Sequence, residues 1–273
     1  TDFRREIAAL HEIFDVRDIK TDVRITATIL CPGNNEVTAQ SLTDHMDTLV
    51  ENIVAFVKEY GLDGVDFDWE YPDQNAQWRV YGQFIKKLDQ AFDREFGDSV
   101  TIGVALASWG VGFSRSAMRA IDEVHVMAYD LFDDDGCHST FMTGAYNPMR
   151  YFNGLQYPRE QFNLGVPYYG RPVDGGAYWP SWSQVANEPD AYWSNAFPGN
   201  YTDENGNPVV LDDYYNCPSM VADKTAYAVS LGIGGMMLFH MDCDQTMDNP
   251  NSLTLAVEKT LEQRVANYRA EAK

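Results

Sequence analysis

Short runs rich in β-branched and apolar residues alternate along this chain with longer stretches whose apolar residues recur at helical spacing. That alternation leaves few folds open, because strands that take turns with helices pair in parallel and bury both faces under the helices. Six runs read as strands: RITATIL from Arg24, GVDFDWE from Gly64, TIGVALA from Thr101, EVHVMAY from Glu123, FNLGVPYYG from Phe162 and GGMMLFH from Gly234. A helix is predicted over 3–15, with Phe3, Ile7, Leu10 and Phe14 on one face. Another is predicted over 41–60, capped by Ser41 or Thr43 and closed by Gly61, with Leu42, Met46, Leu49, Ile53 and Phe56 inward. A third covers 76–96, carries Tyr81, Phe84, Ile85, Leu88 and Phe92, and stops at Gly97. Short helices from Ser114 and Asn147, one from Ser219 and a long one over 253–268 complete the pattern. The expectation is an α/β fold in one domain over 1–273. Only the segment 171–215, rich in Gly, Pro, Asn, Asp, Trp and Tyr, breaks the rhythm, as an elaborated loop between strand and helix.

Charge narrows the partners. The formal net charge is −21, which excludes nucleic acid and anionic membrane surfaces as natural partners, since both need a positive footprint; a neutral ligand is untouched. No apolar run reaches membrane-spanning length. The opening TDFRREIAAL has neither an initiating methionine nor a signal-peptide core, so the sequence reads as a mature fragment. Cys31, Cys137, Cys217 and Cys243 form no CxxC pair, which gives zinc or thioredoxin-like chemistry little support, and a chain of this size needs no disulfide staples.

The stretch GLDGVDFDWEYP holds the chemistry. Alternation sends Asp66, Asp68 and Glu70 to one side of the strand and Val65, Phe67 and Trp69 to the other. A solvated acidic edge is the bland account. It fits poorly between two long amphipathic helices, where both sheet faces are covered. Carboxylates crowded in such a place lose hydration and repel, so at least one is expected to hold a proton near neutral pH. Glu70, furthest toward the C-terminal end of the strand, is the candidate general acid.

With these residues in hand, a family resemblance is visible. DGVDFDWE resembles the DGxDxDxE signature of the family-18 glycoside hydrolases, the chitinases and their relatives. VMAYD resembles the family's MxYD strand, LGVPYYGR its GxPxYGR segment and GGMMLFHMDCD its last barrel strand, so the likeness runs from about residue 5 to the end. The resemblance implies a (β/α)8 barrel that cleaves β-1,4 bonds of N-acetylglucosamine polymers with retention, without metal or cofactor. Glu70 would protonate the glycosidic oxygen while the substrate's own acetamido oxygen attacks and forms an oxazolinium ion. Asp68 would orient the acetamido group, Asp66 would share a proton with Asp68, Tyr129 would bond the attacking oxygen, and Asp130 would contact the distorted sugar. Tyr71, Met127, Tyr169 and Arg171 would line the same sugar site.

The pattern departs from the family twice. Eight strands are expected and six are found, with RITATIL at the third position; this reads as a barrel truncated at its N-terminus, with two exposed sheet edges. Phe239 stands where the family has a tryptophan floor under the sugar, either as a tolerated aromatic swap or as a weaker platform.

Other residues carry two readings each. Trp109 lines a sugar subsite or packs under a loop. Tyr178, Trp179, Trp182 and Trp193 form a carbohydrate track or the core of the 171–215 segment. Arg171 bonds sugar hydroxyls or a neighbouring acid. His125 reads as a core residue, and His240 and Asp242 flank the mouth of the last strand. Asp133, Asp134, Asp135 and His138 form a conceivable metal set or a solvated acidic loop. The leading function is a retaining chitinase-like hydrolase acting outside the cell or at its surface. The alternatives are a chitin-binding lectin on the same fold, or an endo-β-N-acetylglucosaminidase acting on glycoprotein glycans. Oligomeric state is left open.

Overall fold

A computed structural model describes residues 3–17, 23–31, 33–173, 178–202 and 205–271. Residues 174–177, 203 and 204 of the expected loop lie outside it. All six expected strands form. The chain divides into two compact units, Thr1–Leu106 with Gly110–Val124, and Ala107–Trp109 with His125–Lys273.

The first unit contains α1 (Phe3–Arg17), β1 (Thr26–Leu30), α2 (Asn35–Asp44), α3 (Met46–Tyr60), β2 (Gly64–Asp68), α4 (Asn75–Phe96), β3 (Thr101–Leu106) and α5 (Arg115–Met118). β1, β2 and β3 run parallel, with Thr28 opposite Asp66 and Leu30 opposite Asp68. The core lies along α3 and α4, which pack on each other: Val50, Ile53 and Val57 of α3 and Tyr81, Phe84, Ile85, Leu88 and Phe92 of α4 are all buried. Phe67 of β2 sets its ring edge against Phe84 at 5.2 Å, and Trp69 packs on Tyr81 at 5.3 Å.

Two expectations fail here. The helix predicted from Ser41 is two helices broken at His45 (φ −126°), and it starts at Asn34, whose side chain accepts the Val37 N–H at 3.1 Å. Thr43 sits inside α2 and bonds back to the Ala39 carbonyl instead of capping. On α1 only Ile7 of the predicted apolar face is buried, while Phe3 stacks on Phe56 at the surface. β1 is also more open than a covered strand, with Leu30 73% exposed. Its single ladder partner among the described strands is β2.

The boundary between the units falls within β4 (Glu123–Val126). The second unit continues with α6 (Asn147–Leu155), β5 (Phe162–Pro167), β6 (Arg171–Pro172), β7 (Ala196–Thr202), β8 (Pro208–Tyr214), α7 (Pro218–Leu231), β9 (Gly235–Phe239) and α8 (Leu253–Glu271). β5 and β9 pair in parallel, from Asn163 opposite Gly235 to Pro167 opposite Phe239. The segment expected as a loop folds into an antiparallel sheet of order β6-β8-β7. Its buried Trp182 donates through Nε1 to the Asn251 carbonyl at 2.8 Å and meets Phe197 and Tyr215 edge to face. Of the four aromatics singled out in this segment, Trp182 alone is core; Tyr178, Trp179 and Trp193 are exposed.

Candidate active site

The acid strand follows the expected alternation. Val65, Phe67 and Trp69 are buried, Asp66 and Asp68 are partly covered, and Glu70 stands exposed just past the strand end. Burial is the main force on the Asp68 carboxyl, which is pushed up to about 6; the charges of Glu70 and then Asp66, and a hydrogen bond with Glu70, add to it. Asp68 Oδ1 is buried and accepts no hydrogen bond among the described residues. Within the trio Asp68 is raised because it lies inside the sheet and between two acids, two residues before Glu70. Thr28 on β1 reaches Asp66 Oδ2 at 3.5 Å, as their register demands.

The β1–α2 connection binds the end of the acid strand. The Cys31 N–H donates to the Asp68 carbonyl at 2.9 Å. The Cys31 thiol is pushed up to about 11 by burial and by the Asp68 charge. Asn35 bonds the Trp69 indole and the Tyr71 carbonyl. Tyr81, read from sequence only as core, has a buried hydroxyl held well above its ordinary pKa by burial and by the nearby Cys31, Asp66 and Asp68.

A second cluster forms within the other unit. Tyr129 stacks on Phe239 at 5.3 Å with 14° between the rings, and Tyr169 stands edge-on to both at 6.3 Å. The Tyr169 hydroxyl donates to Asp130 Oδ1 at 2.9 Å. Arg171 takes Asp130 in a fork, Nε to Oδ1 at 2.8 Å and Nη2 to Oδ2 at 2.7 Å, so of its two readings the acid partner holds. Burial alone would raise Asp130, but the neighbouring His138, the hydrogen bonds from Arg171 and Tyr169 and the Arg171 charge hold it well below the usual carboxylate range. Asp130 itself has a positive φ of 55°, a backbone position that costs energy in a residue other than glycine. Met127 is buried, and Trp109 is half exposed.

The sequence offers His138 as a metal ligand with Asp133, Asp134 and Asp135. It is instead fully buried against Asp130, with Nε2 accepting the Asp130 N–H at 3.0 Å. Asp133 Oδ1 accepts the Asp135 and Cys137 N–H groups, which explains the acidic loop as a turn. Among the described residues no group of three metal-ligating side chains comes together. His125 contacts Asn163 at 3.5 Å, and His240 packs edge-on to Phe239 and Trp179. Sequence reading missed Asn35, buried Lys224 and the support His138 gives Asp130. None carries a pattern of its own; each is defined by what the fold sets beside it.

The fold is α/β of the (β/α)8 barrel class, with six barrel strands among the described residues. A chitinase from Bacteroides thetaiotaomicron shares it with a TM-score of 0.74 at 19% identity, covering 94% of this chain and 81% of that one. A class V chitinase variant from Nicotiana tobaccum, solved in complex with NAG4, shares it with a TM-score of 0.69 at 15% identity, over 90% and 82%. The family model for Glycosyl hydrolases family 18 matches residues 7–244, and the chain belongs to that family. A probable endochitinase of Caenorhabditis elegans is 24% identical over 245 residues, 71% of this chain and 39% of that protein. The chain spans well under half the length of that relative.

Proposed function

We propose that this chain hydrolyses β-1,4 linkages in chitin or chitooligosaccharides by substrate-assisted catalysis with retention. The observation that carries the reading is the acid trio: Asp66, Asp68 and Glu70 on one side of β2 and its extension, with Asp68 crowded enough to titrate near 6. Glu70, exposed at the strand end, gives its proton to the glycosidic oxygen as the C1–O bond breaks. The acetamido oxygen of the sugar bonds to C1, and Asp68 accepts the acetamido N–H and balances the charge of the oxazolinium ring. Water then attacks C1 on the face the leaving group left, returns a proton to Glu70 and reopens the acetamido group, so the anomer is retained. Asp66 tunes Asp68 by like charge. Tyr129 donates to the acetamido oxygen, Phe239 supplies an apolar platform, and Asp130, fixed by Arg171, bonds the distorted sugar; Tyr71, Tyr169, Met127 and Trp109 line the subsites. Family membership and the tobacco enzyme's complex with NAG4 support the carbohydrate. The same reading puts the activity outside the cell or at its surface, where a polymer of this kind would be met.

The test is release of a chromophore from chitobiose and chitotriose aryl glycosides by the wild type and by Glu70→Gln, across pH 4 to 9, with the product anomer read by proton NMR. The reading expects β-anomer first and loss of at least a thousandfold in the variant. Binding of chitooligosaccharide without turnover would replace it with a lectin. Turnover of a glycoprotein glycan but not of chitooligosaccharide would replace it with an endo-N-acetylglucosaminidase.

A further inference from the structure

We infer that Asn35 is a positioning residue for Glu70, an inference that rests on the assignment of Glu70 as the acid. The first residue of α2, Asn35 turns its amide onto both neighbours of Glu70. Oδ1 accepts the Trp69 indole N–H at 2.7 Å, and Nδ2 donates to the Tyr71 carbonyl at 2.8 Å. Indole nitrogen can only donate and a carbonyl can only accept, so the amide has a single workable orientation. A carboxylate in its place would lose the donor, and a hydrocarbon would lose both bonds.

The bridge matters because Glu70 lies beyond the last ladder residue of β2 and has no sheet neighbour among the described residues to fix it. Trp69 is 3% exposed and packed against Tyr81, which anchors one end of the span. The Cys31 N–H on the Asp68 carbonyl anchors the chain one residue earlier. With Trp69 and Tyr71 both tied to Asn35, the direction in which Glu70 leaves the strand is set from two sides. A proton donor displaced by about 1 Å loses on the order of a hundredfold in rate, so the loss should fall on turnover rather than on binding.

The experiment compares wild type, Asn35→Leu and Asn35→Asp in kcat and KM on a chitotriose aryl glycoside, with the Trp69 indole N–H followed by nitrogen–proton NMR and hydrogen exchange. A negative charge in the first turn of α2 favours the helix, so Asn35→Asp keeps the fold if the leucine variant does not. The expected result is a fall in kcat of at least tenfold in both variants, KM within threefold of wild type, and faster exchange of the indole proton in Asn35→Leu. Unchanged kinetics in the presence of an active wild type overturn the positioning role alone, whether or not thermal stability drops. An indole signal and exchange rate that do not respond to Asn35→Leu also overturn it. A wild type that hydrolyses none of the glycosides overturns the hydrolase reading, and this role with it.

Discussion

Arg171 grips Asp130 through two parallel hydrogen bonds of 2.8 and 2.7 Å, the fork that a guanidinium makes and an ammonium cannot. The Tyr169 hydroxyl shares Oδ1, and the Arg171 guanidinium lies 5.4 Å from the Tyr169 ring. Arg171→Lys should therefore keep the charge and lose the orientation. We expect kcat/KM on a chitotriose glycoside to fall about tenfold, with stability reduced by about 1–2 kcal/mol in urea unfolding. A second check is acid unfolding. The Asp130 pKa lies below its unfolded value, so its contribution is present above about pH 4 and drains away as the pH falls through the folded value. Asp130→Asn should unfold more easily than wild type at pH 6, with the gap closing toward pH 2.

Asp68 runs the opposite way. Its folded pKa, pushed up to about 6, lies above the unfolded one, so the folded state binds more protons between about pH 4 and 6 and stability declines as pH rises through that window. The penalty is complete above it. Asp68→Asn removes the penalty, and we expect the variant to exceed wild type in urea unfolding at pH 7.5 by on the order of 2 kcal/mol, an advantage that disappears at pH 3.5. The same variant should be nearly inactive. Equal pH dependence in the two proteins would remove the case for a strained acid at this position.

Why was so much of this readable from the chain alone? The six strands were, because each is a short apolar run bounded by Gly, Asn or charge, and the alternation Val65–Phe67–Trp69 against Asp66–Asp68–Glu70 is a property of any strand. The break at His45 was not, because Asn34 offered a cap seven residues earlier and nothing local ranks it above Ser41. Nor was β6-β8-β7: Trp182, Phe197 and Tyr215 are far apart in sequence, and only their meeting makes them a core. The Arg171–Asp130 fork and the Asn35 bridge belong to the same kind. They join residues 41 and 34 or more positions apart, and polar pairs at such separation leave no periodic trace.

The stack of Tyr129 on Phe239 makes a prediction about binding. Phe239 is 43% exposed while its ring lies nearly parallel to Tyr129 at 5.3 Å, so it has apolar surface to offer a ligand without leaving its partner. In a Glu70→Gln background, titration calorimetry with chitotetraose should show Phe239→Ala binding about tenfold more weakly, in line with the worth of an aromatic contact. Phe239→Trp should bind several-fold more tightly through its larger face. Affinity indifferent to both changes would place the sugar elsewhere.

Lys224 is the least expected charge in the molecule. Its side chain is fully buried, and its ammonium donates to the Ser139 carbonyl at 2.7 Å and to Asn216 Oδ1 at 2.5 Å, neutral acceptors both. Gly144 lets it in: a Cβ there would lie 2.5 Å from Nζ. Burial without a carboxylate draws the pKa down to about 7. The unfolded chain therefore binds the proton more readily between about pH 7 and 10, and the wild type gains stability as the pH climbs through that range. Lys224→Met cannot share this gain. It forfeits two hydrogen bonds, so its stability at a single pH reports a mixture, but the difference from wild type should change by on the order of 4 kcal/mol between pH 6.5 and pH 10 in urea unfolding. The wild type should be favoured increasingly at the alkaline end. Parallel pH profiles would mean that water or a moved carboxylate stabilises the ammonium, and that the surroundings of Lys224 are less dry than its burial implies.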